Sequence, residues 1–198
     1  YSTVHFESAD HFIQGVNGND SGSARYQAFS PMGALNYAVS QASRLYISAG
    51  RGFETPTFNE LSYRTDGLAG LNFGLQPAYS TTIEAGFKSM LTDTSLLTAA
   101  VFQTGTRNEI VSAGSVNGRT SYRNAGRTRR TGFELSYHNS WGQHWRADLA
   151  YTWLNARYED DCISGPCSNP DQPEQYLQAG NRIPGIAQHA VFASLGWT

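Results

Sequence analysis

The chain has 198 residues, of which 15% are charged and 13% aromatic, and its formal net charge at pH 7 is −2. The charged fraction falls well short of the roughly 25% typical of soluble globular domains, and the near-neutral balance gives no sign of a nucleic-acid partner. The longest nearly apolar run, residues 96–102, is far shorter than the roughly 20 residues of a membrane-spanning helix. Transmembrane β-barrels combine these properties, because only every second residue of a strand needs to face lipid.

Eight segments have the composition and alternation of β-strands. They cover residues about 1–8, 24–40, 44–53, 78–91, 94–106, 121–139, 144–158 and 187–198. In the seventh, Trp145, Leu149 and Trp153 share one face and Arg146 and Asp148 the other, since successive side chains of a strand point to opposite faces. The eight residue steps from Trp145 to Trp153 rise roughly 26 Å, which approaches the apolar band of an outer-membrane barrel between its aromatic girdles.

The connections between these segments are alternately short and long along the whole chain. The short ones are near residues 41–43, 91–94 and 140–143, and the long ones cover 9–23, 54–77, 107–120 and 159–186. Up-and-down barrels of the outer membrane have tight periplasmic turns and long extracellular loops, whereas Greek-key sandwiches distribute long connections less regularly. We therefore predict an all-β, antiparallel, up-and-down transmembrane barrel segment, with Trp145 at the periplasmic rim and Trp153 nearer the outer rim.

Several motifs resemble the C-terminal barrel region of TonB-dependent outer-membrane receptors, which take up ferric siderophores and related scarce nutrients. They lie in the family's order, at residues 50–61 (GRGFETPTFNEL), 77–88 (PAYSTTIEAGFK), 107–111 (RNEIV), 122–136 (YRNAGRTRRTGFELS), 150–158 (AYTWLNARY) and 181–185 (NRIPG). The resemblance implies that residues 1–198 supply about eight strands of a larger barrel of about 22 strands. The plug domain, the TonB box and the last strands are expected to lie outside these residues.

The resemblance also implies a function. It predicts an active-transport receptor in the outer membrane of a Gram-negative bacterium, energised through the TonB–ExbB–ExbD complex and surrounded by lipid and lipopolysaccharide. No Ser-His-Asp order, P-loop or HExxH motif is present, so we expect no enzyme activity, and we expect no cofactor and no metal. Two alternatives remain, a passive outer-membrane porin and a secreted all-β carbohydrate-binding domain.

Ligand capture would fall to arginine and aromatic side chains, because a ferric siderophore is often anionic or rich in oxygen donors. The candidates at or above the outer rim are Arg51, Phe53, Tyr63, Arg64, Arg119, Tyr122 and Arg123. The alternative is that these residues pack the loops together or bind lipopolysaccharide phosphates.

A second set of charged residues has the parity of the polar strand faces and is predicted to line the barrel lumen. It comprises Glu84, Lys88, Arg130, Glu134, Arg146 and Asp148. Cross-strand ion pairs, or contacts to the plug, are the expected role of this set. Arg127 and Arg129 have the opposite parity and are expected near lipid headgroups, where arginine suits anionic phosphates.

Cys162 and Cys167 bracket the sequence ISGP in the longest loop. A loop-stapling disulfide is predicted, because the cell exterior is oxidising and Gly165-Pro166 favours a tight turn. The other two explanations are a metal pair and reduced thiols, and the absence of neighbouring histidines and of CxxC spacing argues against zinc.

Overall fold

The computed structural model describes residues 1–14, 18–161 and 178–197. Within them, the chain forms eleven strands and one short helix. In chain order these are β1 (Ser2–Ser8), β2 (Gly22–Ala28), β3 (Met32–Ala38), β4 (Ser43–Glu54), α1 (Phe58–Leu61), β5 (Ala78–Thr92), β6 (Ser95–Arg107), β7 (Ile110–Val116), β8 (Arg119–Asn124), β9 (Arg127–Trp141), β10 (Trp145–Tyr158) and β11 (His189–Trp197). No helix in these ranges has the length and apolarity to cross a membrane.

Seven of the described strands form one antiparallel sheet in the order β11-β10-β9-β6-β5-β4-β3. The pairs β3–β4, β5–β6 and β9–β10 are joined by short turns at one end of the sheet, and the long connections lie at the other end. β1–β2 and β7–β8 form two separate antiparallel hairpin sheets. The predicted up-and-down antiparallel arrangement and the alternation of connection lengths are therefore confirmed.

Two predicted strands are divided in the structure. The predicted strand 24–40 becomes β2 and β3, which belong to different sheets. Between them lies Pro31, which has no amide hydrogen to donate to a ladder, although its carbonyl accepts from the Arg51 amide at 2.9 Å. The predicted strand 121–139 is likewise divided into β8 and β9.

The predicted loop 107–120 contains most of the β7–β8 hairpin. Its turn residues Asn117 and Gly118 both have positive φ, 52° and 76°. This conformation is required at the two central residues of a type I′ turn, and Asn-Gly is the dipeptide most suited to it. The prediction of a loop was wrong because this hairpin signal was overlooked.

The two faces of the seven-stranded sheet differ in polarity. On one face, Leu35, Ile83, Val101, Leu149 and Val191 are all exposed apolar side chains. These residues belong to β3, β5, β6, β10 and β11, and the register places all of them on the same face of the sheet. An apolar face of this extent that is open rather than packed on a second layer is typical of a wall in contact with lipid.

Tryptophans gather on the apolar face at the short-turn end. The rings of Trp141 and Trp145 stack with their centroids 6.1 Å apart and an interplanar angle of 5°. Trp145 also pairs in register with Trp197, whose ring lies 5.7 Å from that of His144. This cluster has the place and composition of one aromatic girdle.

Most of the buried apolar side chains lie at the opposite, long-loop end. Leu61 at the end of α1 is fully buried and Leu75 almost so. The hydroxyl of Tyr26 in β2 donates to the Leu75 carbonyl at 3.0 Å. α1 begins with a capping box, in which the Glu60 amide donates to the Thr57 hydroxyl and the Glu60 carboxylate accepts from the Thr57 amide. The loop 55–77 is thereby ordered against the rim of the sheet.

Candidate functional site

A charged cluster lies at the long-loop rim, on the polar face of the sheet. The carboxylate of Glu109 accepts from both terminal nitrogens of Arg130, at 2.5 and 3.1 Å, and from the hydroxyl of Thr128 at 3.0 Å. Thr128 is fully buried, and the side chains of Arg130 and Glu109 are 24% and 18% exposed. A two-pronged arginine–carboxylate pair of this kind has a fixed geometry and fixes the start of β7 against β9.

This cluster forms one wall of a pocket of about 680 Å³. Arg123, Tyr158 and Ser112 add to the polar lining, and most of the apolar lining comes from Ile110, Val111, Ile183, Pro184 and Ile186. Burial lowers the pKa of the Arg123 guanidinium, although arginine side chains keep their charge in proteins. The pocket therefore offers positive charge and hydrogen-bond donors beside apolar surface, which suits an anionic, oxygen-rich ligand with an apolar part.

Two asparagines join the loops that surround this pocket. The side-chain oxygen of Asn124 accepts from the Gln76 amide at 2.8 Å, and its nitrogen donates to the carbonyls of Gln76 and Asn108. The side-chain nitrogen of Asn72 donates to the carbonyl of Tyr122 at 3.2 Å. The loop 55–77 and the β7–β8 hairpin are thus held together as one layer above the rim.

The other ligand candidates from the sequence are distributed around the rim. The Arg119 guanidinium lies 5.4 Å from the centre of the Tyr63 ring, which is cation–π distance. Arg64 pairs with Asp66 at 2.5 Å, and these hydrogen bonds lower the pKa of Asp66 to about 2. Of the seven candidates, the structure thus brings together Tyr63 with Arg119, and it places Arg123 in the pocket.

Arg51 and Phe53 are set apart from the pocket by their parity. Both lie in β4 with the parity of the apolar face, opposite Thr81 and Tyr79 respectively. The rings of Phe53 and Tyr79 are 5.5 Å apart, and the Tyr79 hydroxyl donates to the Gln27 carbonyl. A role for Arg51 in the vestibule therefore has less geometric support than one for Arg123.

All six residues predicted to line the lumen lie on the polar face. Glu84, Lys88 and Glu134 surround a depression of about 250 Å³ in the middle of the sheet. The Tyr46 hydroxyl donates to Glu84 at 2.6 Å, and the Lys88 ammonium lies 5.4 Å from the centre of the Tyr46 ring.

The remaining three lumen candidates lie at the two ends of the face. Asp148 contacts the Nδ1 atom of His138 at 2.6 Å, and Arg146 lies opposite Ser140. Arg130, at the long-loop end, pairs with Glu109 rather than with a neighbouring strand. On this face, Glu84 is hydrogen-bonded to Tyr46 and Asp148 to His138. These contacts take the place of the cross-strand ion pairs with Lys or Arg that were expected from the sequence.

Sequence reasoning missed several contributors to the site. Glu109, Thr128, Tyr158 and Asn124 were not named as candidates, although Glu109 lies in the RNEIV motif. The sequence around Glu109 did not indicate its role, because its partner Arg130 lies on a later strand. The predicted disulfide between Cys162 and Cys167 falls outside the described residues. In the described ranges, no group of three or more His, Cys, Asp or Glu side chains could hold a metal ion.

Comparison with known proteins identifies the family. The family model described as TonB dependent receptor-like, beta-barrel matches residues 1–198. The chain belongs to this family. Its members are transport receptors.

One curated relative is the probable TonB-dependent siderophore receptor PiuA of Acinetobacter baumannii. It is 30% identical to this chain over 183 residues, which cover 87% of the chain and 22% of the relative. The chain thus spans less than a quarter of the length of this relative.

Solved receptors share the fold. The ferric yersiniabactin uptake receptor FyuA from Yersinia pestis superimposes with a TM-score of 0.60 at 18% identity, over 89% of this chain and 24% of that receptor. The copper transporter OprC superimposes with a TM-score of 0.55 at 17% identity, over 71% of this chain and 22% of the transporter. At such low identity these similarities establish the barrel fold alone.

Proposed function

We propose that this chain supplies part of the wall and outer vestibule of an outer-membrane receptor that takes up a ferric siderophore or a similar scarce nutrient. The observation that carries the proposal is a seven-stranded sheet with one exposed apolar face and one polar face, in a chain that the receptor family matches throughout. The uptake would be energised through the TonB–ExbB–ExbD complex. In this proposal, the plug and the TonB box belong to the receptor outside residues 1–198.

The apolar face supports a place in the outer membrane of a Gram-negative bacterium. Leu35, Val101 and Leu149 are at least half exposed on it, and burial of apolar surface stabilises by roughly 25 cal/mol per Å². Acyl chains of lipid and lipopolysaccharide would cover this face, and the tryptophans of the short-turn end would lie at the periplasmic interface.

The pocket at the long-loop rim supports a role in capture of the ligand. Arg123 lines this pocket, and we infer that its guanidinium contributes to binding an anionic ligand. The polar face beneath it, with Glu84, Lys88 and Glu134, would line the passage. Binding and passage, without bond making, are the chemistry that these groups can provide.

The test uses the intact receptor, expressed in a strain from which its gene has been deleted. Uptake of radioactive iron is measured with a panel of catecholate, hydroxamate and mixed siderophores, with and without functional TonB. We expect saturable uptake of one siderophore class that requires both the receptor and TonB. Uptake that is unsaturable and independent of TonB would instead identify a passive pore and would contradict the proposal.

The same assay examines the pocket. The substitution Arg123→Gln is expected to raise the ligand concentration for half-maximal uptake by about ten-fold or more, since one charge-assisted hydrogen bond is worth roughly 1.5–3 kcal/mol. Arg25→Gln in β2, where the arginine is exposed, removes the same charge outside the pocket and is expected to leave uptake unchanged. Equal effects of the two substitutions would show that Arg123 does not contribute to the binding site.

A further inference from the structure

A second pocket lies beside the ligand pocket at the long-loop rim, on the same polar face of the sheet. It measures about 370 Å³. Glu109 and Arg130 line both pockets, so their ion pair forms a shared wall between the two. The ligand pocket contains the Arg123 guanidinium, whereas the second pocket contains the Glu54 carboxylate. We call this second recess, lined by Glu54, Ser80, Thr104 and Thr106 beside the ion pair, the Glu54 pocket.

The floor of the Glu54 pocket consists of short side chains, because the register of three strands places them side by side. Gly52 in β4 pairs with Ser80 in β5, and Ser80 pairs with Thr106 in β6. Glu54 belongs to β4 and Arg130 to β9, on opposite sides of β5 and β6 in the sheet. The recess is therefore open between the Glu54 carboxylate and the ion pair.

The lining of this pocket is richer in hydrogen-bond acceptors than in donors. The hydroxyl of Thr104 lies 2.8 Å from that of Thr82, which orders this part of the floor. Each serine or threonine hydroxyl has two acceptor lone pairs but a single donor hydrogen, and an ionised carboxylate only accepts. A ligand group that donates several hydrogen bonds therefore matches the Glu54 pocket.

The charge of Glu54 has no close basic partner in the described part of the chain. No Lys, Arg or His nitrogen there lies within 4 Å of its carboxylate. Both terminal nitrogens of Arg130 donate to Glu109 instead. The lining contains two carboxylates and one guanidinium, so the Glu54 pocket has a formal excess of one negative charge.

The charge and the acceptors together favour an ammonium group as the occupant. A primary ammonium group is compact, carries one positive charge and has three donors and no acceptor. A calcium ion takes about six to eight oxygen ligands from carboxylates, carbonyls and water, a set that one available carboxylate and a few hydroxyls do not resemble. A ligand that fills both pockets would thus be anionic or oxygen-rich towards Arg123 and cationic towards Glu54.

We propose that the Glu54 pocket is a subsite for a primary ammonium group, by which the receptor selects siderophores that carry a free amine beside their iron-binding part. This inference rests on the proposed function, in which the neighbouring ligand pocket holds the anionic or oxygen-rich part. It deepens that function by specifying the charge pattern of the ligand and by giving Glu54 a role in specificity.

The test uses the intact receptor in the deletion strain and four ferric complexes as probes. Two are the trihydroxamate ferrioxamine B, which has one terminal primary amine, and its N-acetyl derivative. The other two are the ferric complexes of 2,3-dihydroxybenzoyl-lysine with a free and with an acetylated side-chain amine. Acetylation removes the ammonium charge and leaves the iron-binding groups unchanged. For at least one pair, we expect the amine-bearing complex to reach half-maximal uptake at a concentration about ten-fold lower than its acetylated form.

Substitutions at Glu54 then assign this preference to the pocket. Glu54→Gln is expected to raise the half-maximal concentration of the amine-bearing complex about ten-fold and to leave that of the acetylated complex unchanged. Glu54→Asp keeps the charge and is expected to retain the preference for the free amine. Glu7→Gln removes an exposed carboxylate from β1, outside both pockets, and is the matched control, expected to change neither value. The amount of each variant in the outer membrane is measured in parallel.

Two outcomes would overturn the proposal. The unsubstituted receptor could take up both members of each pair equally well, which would exclude selection for an amine. Alternatively, Glu54→Gln could weaken uptake of the amine-bearing and acetylated complexes to the same extent, which would show that Glu54 supports the rim without binding an ammonium group.

This proposal and the proposed function fail in distinguishable ways. Uptake across the siderophore panel that does not depend on TonB would contradict the proposed function. Saturable, TonB-dependent uptake that does not distinguish free from acetylated amines would contradict only the assignment of the Glu54 pocket.

Discussion

At the scale of single residues, Glu109 connects the β7–β8 hairpin to the sheet. Its carboxylate accepts from Arg130 and Thr128, and its carbonyl accepts from the Ala125 amide at 2.6 Å. The first contacts join it to the sheet wall, and the last closes the base of the β7–β8 hairpin. One residue thereby couples the external hairpin to the wall.

The substitution Glu109→Gln is expected to loosen this hairpin. It leaves the partly buried Arg130 charge without a carboxylate, at a cost of about 2 kcal/mol of local stability. Amide hydrogen exchange in β7 and β8 of the intact receptor should then accelerate roughly thirty-fold. Glu7→Gln, at a carboxylate 75% exposed in β1, is the control.

A second variant separates a charge effect from a packing effect. Glu109→Gln combined with Arg130→Met removes both charged partners, so that no unpaired charge is left at the rim. The double variant should therefore exchange more slowly than Glu109→Gln alone. Faster exchange in the double variant would show that the ion pair is not the reason for the hairpin's stability.

At the scale of elements, aromatic rings on the polar face lie across glycines of the next strand. Phe102 in β6 is paired with Gly132 in β9, and a Cβ atom at Gly132 would stand 2.3 Å from the Phe102 ring. Tyr46 in β4 covers Gly86 in β5 in the same way. Because the two glycines have no side chain, the rings of Phe102 and Tyr46 can lie flat against the sheet. The sheet itself therefore orders these rings, without a second layer packed on the polar face.

Gly132→Ala should therefore displace the Phe102 ring and cost about 1–3 kcal/mol. Gly105→Ala is the matched control, because a Cβ atom there meets nothing within 4 Å. The measurement is the urea midpoint of refolding of the intact receptor into lipid vesicles. Restoration of the midpoint by Phe102→Leu in the Gly132→Ala background would identify the ring clash as the cause, and equal midpoints for Gly132→Ala and Gly105→Ala would exclude it.

At the scale of the whole molecule, the polarity of the two faces decides which side of the wall meets lipid. Leu149 is half exposed on the apolar face and lies opposite Tyr137, whereas Ser136 is exposed on the polar face opposite Ala150. Leu149 and Ser136 are close together in the sheet, but we infer that Leu149 faces lipid and that Ser136 faces water. They therefore provide a direct test of orientation.

Leu149→Arg should destabilise the receptor folded in lipid vesicles by about 2–4 kcal/mol, the cost of an arginine near the middle of a bilayer. Ser136→Arg should cost less than 1 kcal/mol, as expected for a surface substitution away from special features. The readout is again the urea midpoint. The reverse order of the two effects would mean that the polar face, and not the apolar one, contacts lipid.

Much of this architecture could be predicted from sequence because it depends on local periodicity. The alternation in residues 145–153 predicted the faces of β10, and the alternating lengths of the connections predicted the order of neighbouring strands. The interruption at Pro31 and the Asn117-Gly118 hairpin were also encoded locally. Pro31 was missed as an interruption because the residues around it have strong strand composition. The Asn117-Gly118 turn was missed because the residues around it have the polar composition of a loop.

By itself, the sequence determined the fold class, the strand faces and the family, since each follows from residue order along one segment at a time. Only the tertiary structure decided which rim residues meet. Arg130 pairs with Glu109, Arg119 contacts Tyr63, and Arg157 stands opposite Arg129. These partners come from different strands and loops, and their contacts depend on register and on loop conformation, which a single strand's periodicity does not specify.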